Sequence, residues 1–162
     1  MGHGFRISSL PVEEFAPLFA LSDAELLSRG MRRVVADSKP GYPCRVSLED
    51  AEPGERVILL PYAHHAVHGP YRASGPIYVR EAAVTAFPSV NEVPESVRGR
   101  LLSVRAYDAQ AMMIASEVVE GRDLTESVSR LFAFESVLYL HAHNARAGCY
   151  SCRIDRFAAP MK

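Results

Sequence analysis

The chain of 162 residues has no tryptophan, only three cysteines, and no apolar run near the roughly 20 residues that a membrane-spanning helix needs. Its first residues, MGHGFRISSL, lack the basic flank and apolar segment of a secretory signal peptide. We therefore expect a cytoplasmic protein without membrane contact, in which the cysteines stay reduced. The three thiols are candidates for a reactive group, a metal ligand or simple core packing.

A large charge of one sign is lacking too, because 18 basic residues face 19 acidic ones and the formal net charge is -1. The basic residues are scattered, which does not favour nucleic acid as a partner. Lysine is scarce: apart from Lys39 and Lys162, the basic residues are all arginines. This bias is typical of GC-rich bacterial genomes, but the planar guanidinium also suits carboxylate and phosphate groups. A small anionic ligand is thus a candidate partner.

Several common enzyme motifs are absent from the sequence. There is no G-x-x-x-x-G-K-[ST] loop, no G-x-G-x-x-G, no H-E-x-x-H and no G-x-S-x-G. The sequence therefore gives no motif support for four function classes: nucleotide hydrolysis, Rossmann cofactor binding, zincin chemistry and the α/β-hydrolase reaction.

The hydrophobic pattern predicts one α+β domain over residues 1–162. Alternating or short apolar segments predict strands over 5–9, 31–36, 44–48, 56–62, 76–80, 103–107, 112–119, 137–143 and 150–156. Helical spacing and capping signals predict helices over 12–19, 23–29, 97–102 and 124–134. Because strands and helices occur in runs, the sheet should be mainly antiparallel, with a few short helices packed against it.

Turn signals indicate how some of these segments are connected. The turn EPGE at residues 52–55 predicts that strand 44–48 pairs with strand 56–62 as a hairpin. Residues 64–74 show no periodicity and contain three histidines, so they predict an exposed loop of the kind that often carries function.

The segment LHAHNARAGCYSC contains the densest group of chemically active side chains. Asn144 and Gly148 tolerate positive φ values, which predicts an antiparallel hairpin around the turn 144–148. On regular strands His143 would lie opposite Cys149 and on the same face as His141. Cys152, an odd number of residues from Cys149, would point to the other face.

Three interpretations of this His/Cys cluster remain open. Imidazole and thiolate both bind zinc or iron, and His141, His143 and Cys149, with Cys44 as a fourth member, could hold such an ion. Without a metal, His143 could activate Cys149, which would make these two the catalytic residues. In the third interpretation the histidines hydrogen-bond to backbone, and the cysteine packs as a small apolar side chain.

A non-catalytic binding or interaction module is the alternative to chemistry. In that case Arg72, Arg105 and Arg146, together with Asn144, are the candidates for binding an anionic ligand or partner. Arg72 lies in a Pro- and Gly-rich segment, whereas Asn144 and Arg146 lie in the predicted turn after His143.

The segments PGYPCRVSLEDAEPGE, YRASGPIYVRE, RAYDA and HAHNARAGCYSCRIDR together resemble, in order and spacing, the bacterial domain-of-unknown-function family numbered 1203. The resemblance runs from about Phe5 to Arg156. The residues that recur in that family fall here on Cys44, Arg45, His64, Tyr71, Arg72, His141, His143, Asn144, Cys149 and Cys152. The resemblance implies a class of small bacterial proteins but no activity, ligand or catalytic residue, so enzyme and binding module both stay open.

Overall fold

The computed structural model describes residues 4–159, which form two antiparallel sheets and a few short helices. In chain order the strands are β1 (Gly4–Ser8), β2 (Arg32–Val35), β3 (Arg56–His65), β4 (Ala73–Arg80), β5 (Leu101–Tyr107), β6 (Met113–Glu120), β7 (Tyr139–Asn144) and β8 (Tyr150–Phe157). The α-helices are α1 (Asp23–Ser28), α2 (Glu95–Arg98) and α3 (Leu124–Phe132). The 3-10 segments are Val12–Glu14, Ala16–Ala20 and Gly121–Asp123. The predicted α+β class with a mainly antiparallel sheet is confirmed. Within the described part of the chain, no helix has the length and apolarity to cross a membrane.

The larger sheet has the strand order β1-β8-β7-β5-β6 and buries one face against α3. Along β5, Leu102, Val104 and Ala106 point to this face and are fully buried, while the residues between them point away. The apolar stripe of α3, with Leu124 and Val128 one turn apart, covers these side chains. This main core leaves the opposite face of the sheet free to carry polar groups.

The smaller sheet, β2-β3-β4, forms a second core with the N-terminal helical segments. Helix α1 begins where the sequence predicts, because Ser22 and Glu25 form a capping box. Ser22 Oγ accepts a hydrogen bond from the Glu25 N–H at 3.1 Å, and a Glu25 carboxylate oxygen accepts one from the Ser22 N–H at 2.7 Å. Gly30, just after the helix, has φ +75° as expected for a left-handed C-terminal residue. Leu26 of α1 is completely buried in this second core.

The predicted hairpin between 44–48 and 56–62 is wrong. Residues 43–50 form tight turns, in which the Leu48 N–H donates to the Cys44 carbonyl at 3.1 Å and Leu48 adopts φ +54°. The apolar alternation arose because Cys44, Val46 and Leu48 all enter a core from these turns. Strand β3 pairs instead with β2 and β4.

The predicted loop over 64–74 is shorter than expected. Strand β3 continues through His65, and β4 begins at Ala73. The register of the β3–β4 pair shifts between Tyr62 and His65, so the side chains there do not alternate regularly and the sequence shows no strand pattern. His64 and His65 therefore belong to a strand end, and only His68 of the three histidines is exposed.

Two predicted helices also differ. Residues 12–19 form two 3-10 segments in place of one helix, and Pro17, near the start of the second, has no N–H to continue an α-helical ladder. Helix α2 ends at Arg98, and Leu101 already belongs to β5.

Candidate functional site

The hairpin between β7 and β8 forms as predicted, but its register is different. His143 pairs with Tyr150 and His141 with Arg153, so the partners are one residue away from the predicted ones next to the turn and two residues away beyond the irregularity between Ala142 and His143. The prediction that His143 lies opposite Cys149 is therefore wrong. Cys149 instead closes the turn, where its carbonyl accepts a hydrogen bond from the Asn144 N–H at 2.8 Å.

Cys152 points away from the histidines, as the sequence predicts. It pairs with Ala142, is 1% exposed and packs in the main core beside Leu140 and Ile154. Burial raises the pKa of its thiol to about 12, so this thiol stays protonated at neutral pH.

Cys44 lies in the other core and does not join Cys149. Its sulfur accepts hydrogen bonds from the N–H groups of Arg80 at 3.3 Å and Ser47 at 3.5 Å. The side chain is 1% exposed, so Cys44 acts as a packing residue that satisfies two backbone donors.

The predicted metal ligands are not brought together. Within residues 4–159, no three His, Cys, Asp or Glu side chains converge closely enough to hold an ion. The ring nitrogens of His143 and the sulfur of Cys149 are engaged with different groups, and Cys44 belongs to a separate core. His141, His143, Cys149 and Cys44 therefore do not fit a zinc or iron site.

The histidines of β7 instead form a cluster with the histidines at the end of β3. The His64 and His143 ring centroids are 5.0 Å apart, and those of His65 and His141 are also 5.0 Å apart. Tyrosines from three strands complete this packing, which we call the histidine-tyrosine cluster: His64, His65, His141, His143, Tyr107, Tyr139 and Tyr150. Sequence reasoning missed the cluster because its two halves come from strands that are far apart in the chain.

Hydrogen bonds fix the orientation of two of these rings. The Nδ1 of His143 donates to the Gly148 carbonyl at 3.0 Å, while its Nε2 accepts from Nη1 of Arg105 at 3.5 Å. His65 is held between the Tyr71 carbonyl and the Tyr139 hydroxyl, both at 2.7 Å. His143 thus supports the turn before Cys149 through the backbone, and its ring nitrogens are not directed at the thiol.

Burial keeps the histidines of β7 neutral. Burial is the largest cause that brings the pKa of His141 to about 3 and that of His143 to about 4. For His143 the hydrogen bond to the Gly148 carbonyl raises the pKa and so opposes burial, whereas the guanidinium groups of Arg153 and Arg105 contribute to the lowering for His141 and His143, respectively. The pKa of His64 is lowered for the same main reason. The Nδ1 atoms of His64 and His141 are buried and have no hydrogen-bond partner among the described residues.

The thiol of Cys149 faces a buried arginine on the other side of the hairpin. Nη2 of Arg45 donates to the sulfur at 3.2 Å, and Nδ2 of Asn144 lies 3.6 Å from the same sulfur. The Nε and Nη1 of Arg45 donate to the carbonyls of Tyr150, at 2.7 Å, and of Pro43. Arg45 is only 2% exposed, so these contacts lie almost entirely away from solvent.

Among residues 4–159, no carboxylate forms an ion pair with Arg45. Arg100 nearby, by contrast, pairs with Asp50 through two hydrogen bonds. Burial lowers the pKa of the guanidinium, but an arginine remains protonated in proteins. The acidic group in contact with this buried cation is the Cys149 thiol.

Sequence reasoning did not single out Arg45 as a site residue. It lies between Cys44 and Val46, and on the predicted strand it would have pointed to solvent. Its significance depends on a contact across 104 residues of sequence, for which only the family resemblance gave a signal.

A cavity of about 380 Å³ opens beside this thiol. Its charged lining consists of three guanidinium groups and one carboxylate, from Arg45, Arg100, Arg146 and Glu120. Asn144 also lines the cavity, is 7% exposed, and has a buried Oδ1 without a partner among residues 4–159. The lining therefore presents the guanidinium groups of Arg45 and Arg146, for which no carboxylate partner is found among the described residues, and an unsatisfied buried polar atom beside the Cys149 sulfur.

The residues predicted to bind an anion fall into three places. Asn144 and Arg146 line the cavity beside Cys149. Arg105 lies on the histidine face, where its Nε donates to Ser103 Oγ at 3.3 Å, and Arg72 is exposed just before β4. The structure thus brings two of the four together and adds Arg45 and Arg100, which the prediction missed.

Comparison with known proteins supports the family resemblance that the sequence segments predicted. No curated protein and no solved structure matches the chain. The model of a family described as "Protein of unknown function (DUF1203)" matches residues 41–156, which cover more than two thirds of the chain and include Arg45, Asn144 and Cys149. The protein therefore belongs to the DUF1203 family, as its sequence segments predicted.

Proposed function

We propose that Cys149 acts as a thiolate nucleophile on a small anionic molecule that binds in the arginine-lined cavity. The observation that carries this proposal is the hydrogen bond of 3.2 Å from the buried Arg45 guanidinium to the Cys149 sulfur. Arg45 thereby takes the activating role that the sequence suggested for His143.

Charge balance supports the thiolate. An unpaired charge is costly to bury, and a nearby arginine favours the thiolate form of cysteine. Arg45 is 2% exposed and has no carboxylate partner in the described chain, so an anionic sulfur would supply the missing negative charge. A cytoplasmic location, in which thiols stay reduced, is part of this proposal.

The hydrogen-bonding capacity of the lining supports an anionic ligand. A guanidinium has five N–H bonds, and three of those of Arg45 have acceptors among the described residues. Arg146, for which no ion pair is found among the described residues, adds positive charge to the cavity, whereas the charge of Arg100 is balanced by Asp50. A small oxyanion could accept hydrogen bonds from this lining with a reacting atom next to Cys149.

Alkylation with iodoacetamide at pH 6 tests the proposal. A thiol with the ordinary pKa of free cysteine is only about 0.3% thiolate at this pH. We expect wild-type Cys149 to react at least about tenfold faster than N-acetylcysteine, and Arg45→Met to lose most of this advantage because the cation is gone. Peptide mapping and Cys149→Ser identify the reacting residue, and circular dichroism checks that the variants fold.

The wild-type measurement keeps the test decisive even if Arg45→Met unfolds. A Cys149 that reacts at pH 6 no faster than N-acetylcysteine would show that the thiolate proposal is wrong. Protection of wild-type Cys149 by added sulfate would support an anion site next to the sulfur.

A non-catalytic anion-binding module is the second candidate, and the unpartnered Oδ1 of Asn144 beside Arg146 favours it. Calorimetry with sulfate on wild type and Cys149→Ser separates the two functions. Equal binding by both proteins, together with ordinary reactivity of Cys149, would indicate a binding module.

A further inference from the structure

The Cys149 site is built without a proton-transfer group at the sulfur. Among the described residues, the hydrogen-bond donors to the sulfur are Arg45 and Asn144, and neither exchanges protons at neutral pH. The ring nitrogens of His143 are engaged by Gly148 and Arg105. A leaving group that must be protonated as it departs would therefore receive no help from these contacts.

The site also has no second thiol within its surroundings. Cys152 is buried in the main core on the opposite face of the sheet, and Cys44 is buried in the second core. Neither Cys44 nor Cys152 could form a disulfide with an oxidised Cys149 unless the core that buries it unfolded locally. The reaction should therefore end in a product that a small external acceptor can clear.

Arg45 sets a further condition on the covalent product. If acylation or alkylation neutralised the sulfur, the buried guanidinium would lose its counter-charge. A product that keeps one negative charge on the attached group would leave Arg45 compensated throughout the reaction.

We propose that Cys149 accepts sulfane sulfur from an anionic donor of the thiosulfate type, a proposal that rests on the thiolate function above. The thiolate attacks the outer sulfur of thiosulfate, a new S–S bond forms, and the S–S bond of thiosulfate breaks. Its electron pair leaves on sulfite, so no proton moves. One monoanion and one dianion give a cysteine persulfide monoanion and the sulfite dianion.

This chemistry meets each condition that the site imposes. The donor is small and anionic, as the cavity of about 380 Å³ with three guanidinium groups and one carboxylate requires. The leaving group is already a stable anion, and the persulfide keeps its negative charge beside Arg45. A hydroperoxide fits less well, because the alkoxide or hydroxide that it releases needs a proton and the sulfenic acid that it forms usually needs a second thiol.

The experiment incubates the 162-residue protein with thiosulfate and measures its intact mass. We expect Cys149 to gain the mass of one sulfur atom, and added cyanide to remove it as one equivalent of thiocyanate while the thiolate is regenerated. Cys149→Ser should gain nothing.

An arginine at the cavity provides a variant that leaves the protein core intact. Arg146 is exposed, so Arg146→Gln should fold, and removal of its charge should slow the reaction with thiosulfate by about fivefold at low ionic strength. The alkylation of its Cys149 by uncharged iodoacetamide should slow by a smaller factor than the reaction with thiosulfate, because the reagent carries no charge that Arg146 could attract. Arg29→Gln, which removes an exposed arginine outside the cavity, should react with thiosulfate like wild type.

Two results would overturn the sulfur-transfer proposal while leaving the thiolate function intact. One is fast alkylation of Cys149 at pH 6 without any gain of sulfur from thiosulfate. The other is a gain of one oxygen atom from hydrogen peroxide that is faster than the gain of sulfur. Slow alkylation, at the rate of an ordinary thiol, would instead contradict both proposals.

Discussion

Lowering the pH from 8 to 5 should destabilise the protein through the two histidines of β7. His141 and His143 are 2% and 1% exposed, and burial holds their pKa values at about 3 and about 4. In the unfolded chain a histidine has a pKa of about 6.5. Below that pH the unfolded state binds more protons than the folded state, so stability is complete above about pH 7.5 and falls as the pH drops towards the folded pKa values.

The size of the loss at pH 5 depends mainly on the unfolded state. An unfolded histidine is about 97% protonated at this pH, and linkage gives a loss of about 2 kcal/mol for each residue that stays neutral on folding. His141 and His143 together should therefore cost the protein about 4 kcal/mol of unfolding free energy between pH 8 and pH 5. Carboxylates change this difference little, because most remain ionised at pH 5 in both states.

His141→Phe should remove about half of this acid sensitivity. Phenylalanine keeps an aromatic ring against Tyr107 and Tyr150 and removes both the titration and the unpartnered Nδ1. Urea denaturation followed by circular dichroism at pH 8 and pH 5 measures the two free energies. We expect the difference between the two pH values to shrink by about 2 kcal/mol in the variant.

His68→Gln is the matched control, because His68 is exposed in the connection between β3 and β4. Its pH difference should equal that of the wild type. If His141→Phe also keeps the full wild-type difference, then His141 is not held neutral by burial, and this account of the cluster fails.

Two substitutions outside the site, Gly121→Ala and Ser22→Ala, should lower stability, and Gly69→Ala is the control for the first of them. An alanine Cβ at position 121 would lie 2.2 Å from the Val97 carbonyl oxygen, so Gly121→Ala should lower the free energy of unfolding by about 3 kcal/mol or more. A Cβ at Gly69 would meet no atom within 4 Å, so the free energy of unfolding of Gly69→Ala should stay within about 0.5 kcal/mol of the wild-type value. Urea denaturation measures both. Ser22→Ala removes the side-chain acceptor for the Glu25 N–H and should lower the free energy of unfolding by about 1 kcal/mol, whereas an unchanged value would contradict a stabilising capping box.

Local signals in the sequence predicted the elements that depend on local interactions. The capping box at Ser22, the apolar stripe of α3 and the hairpin between β7 and β8 all follow from residues close together in the chain. Family membership was likewise visible from short segments in order. The register of the hairpin was not predictable, because neither the pairing of His143 with Tyr150 at the turn nor the irregularity between Ala142 and His143 leaves a signal in the alternation of the sequence.

The candidate site was only half predictable because its partners are remote in sequence. Cys149 and Asn144 lie in one turn, which the hairpin pattern identified. Arg45 reaches the sulfur from 104 residues away, and His64 meets His143 only because the end of β3 packs on the larger sheet. The alternating pattern of residues 44–48 predicted that the Arg45 side chain faces solvent, because a period of two indicates a strand and gives no sign of a buried cation in a turn.

The histidine-tyrosine cluster and the thiol site are joined through the turn that carries Cys149. Nδ1 of His143 donates to the Gly148 carbonyl, and Nε of Arg45 donates to the Tyr150 carbonyl, so the backbone is held on both sides of the cysteine. Nδ1–H can donate to Gly148 in either protonation state, but the contact of the same ring with Arg105 requires neutral histidine, because Nε2 must accept from Nη1 of Arg105 and protonation would set two donors against each other. Burial of His143 therefore does more than fill space: it keeps the ring in the one protonation state that satisfies both neighbours and supports the turn beside the nucleophile.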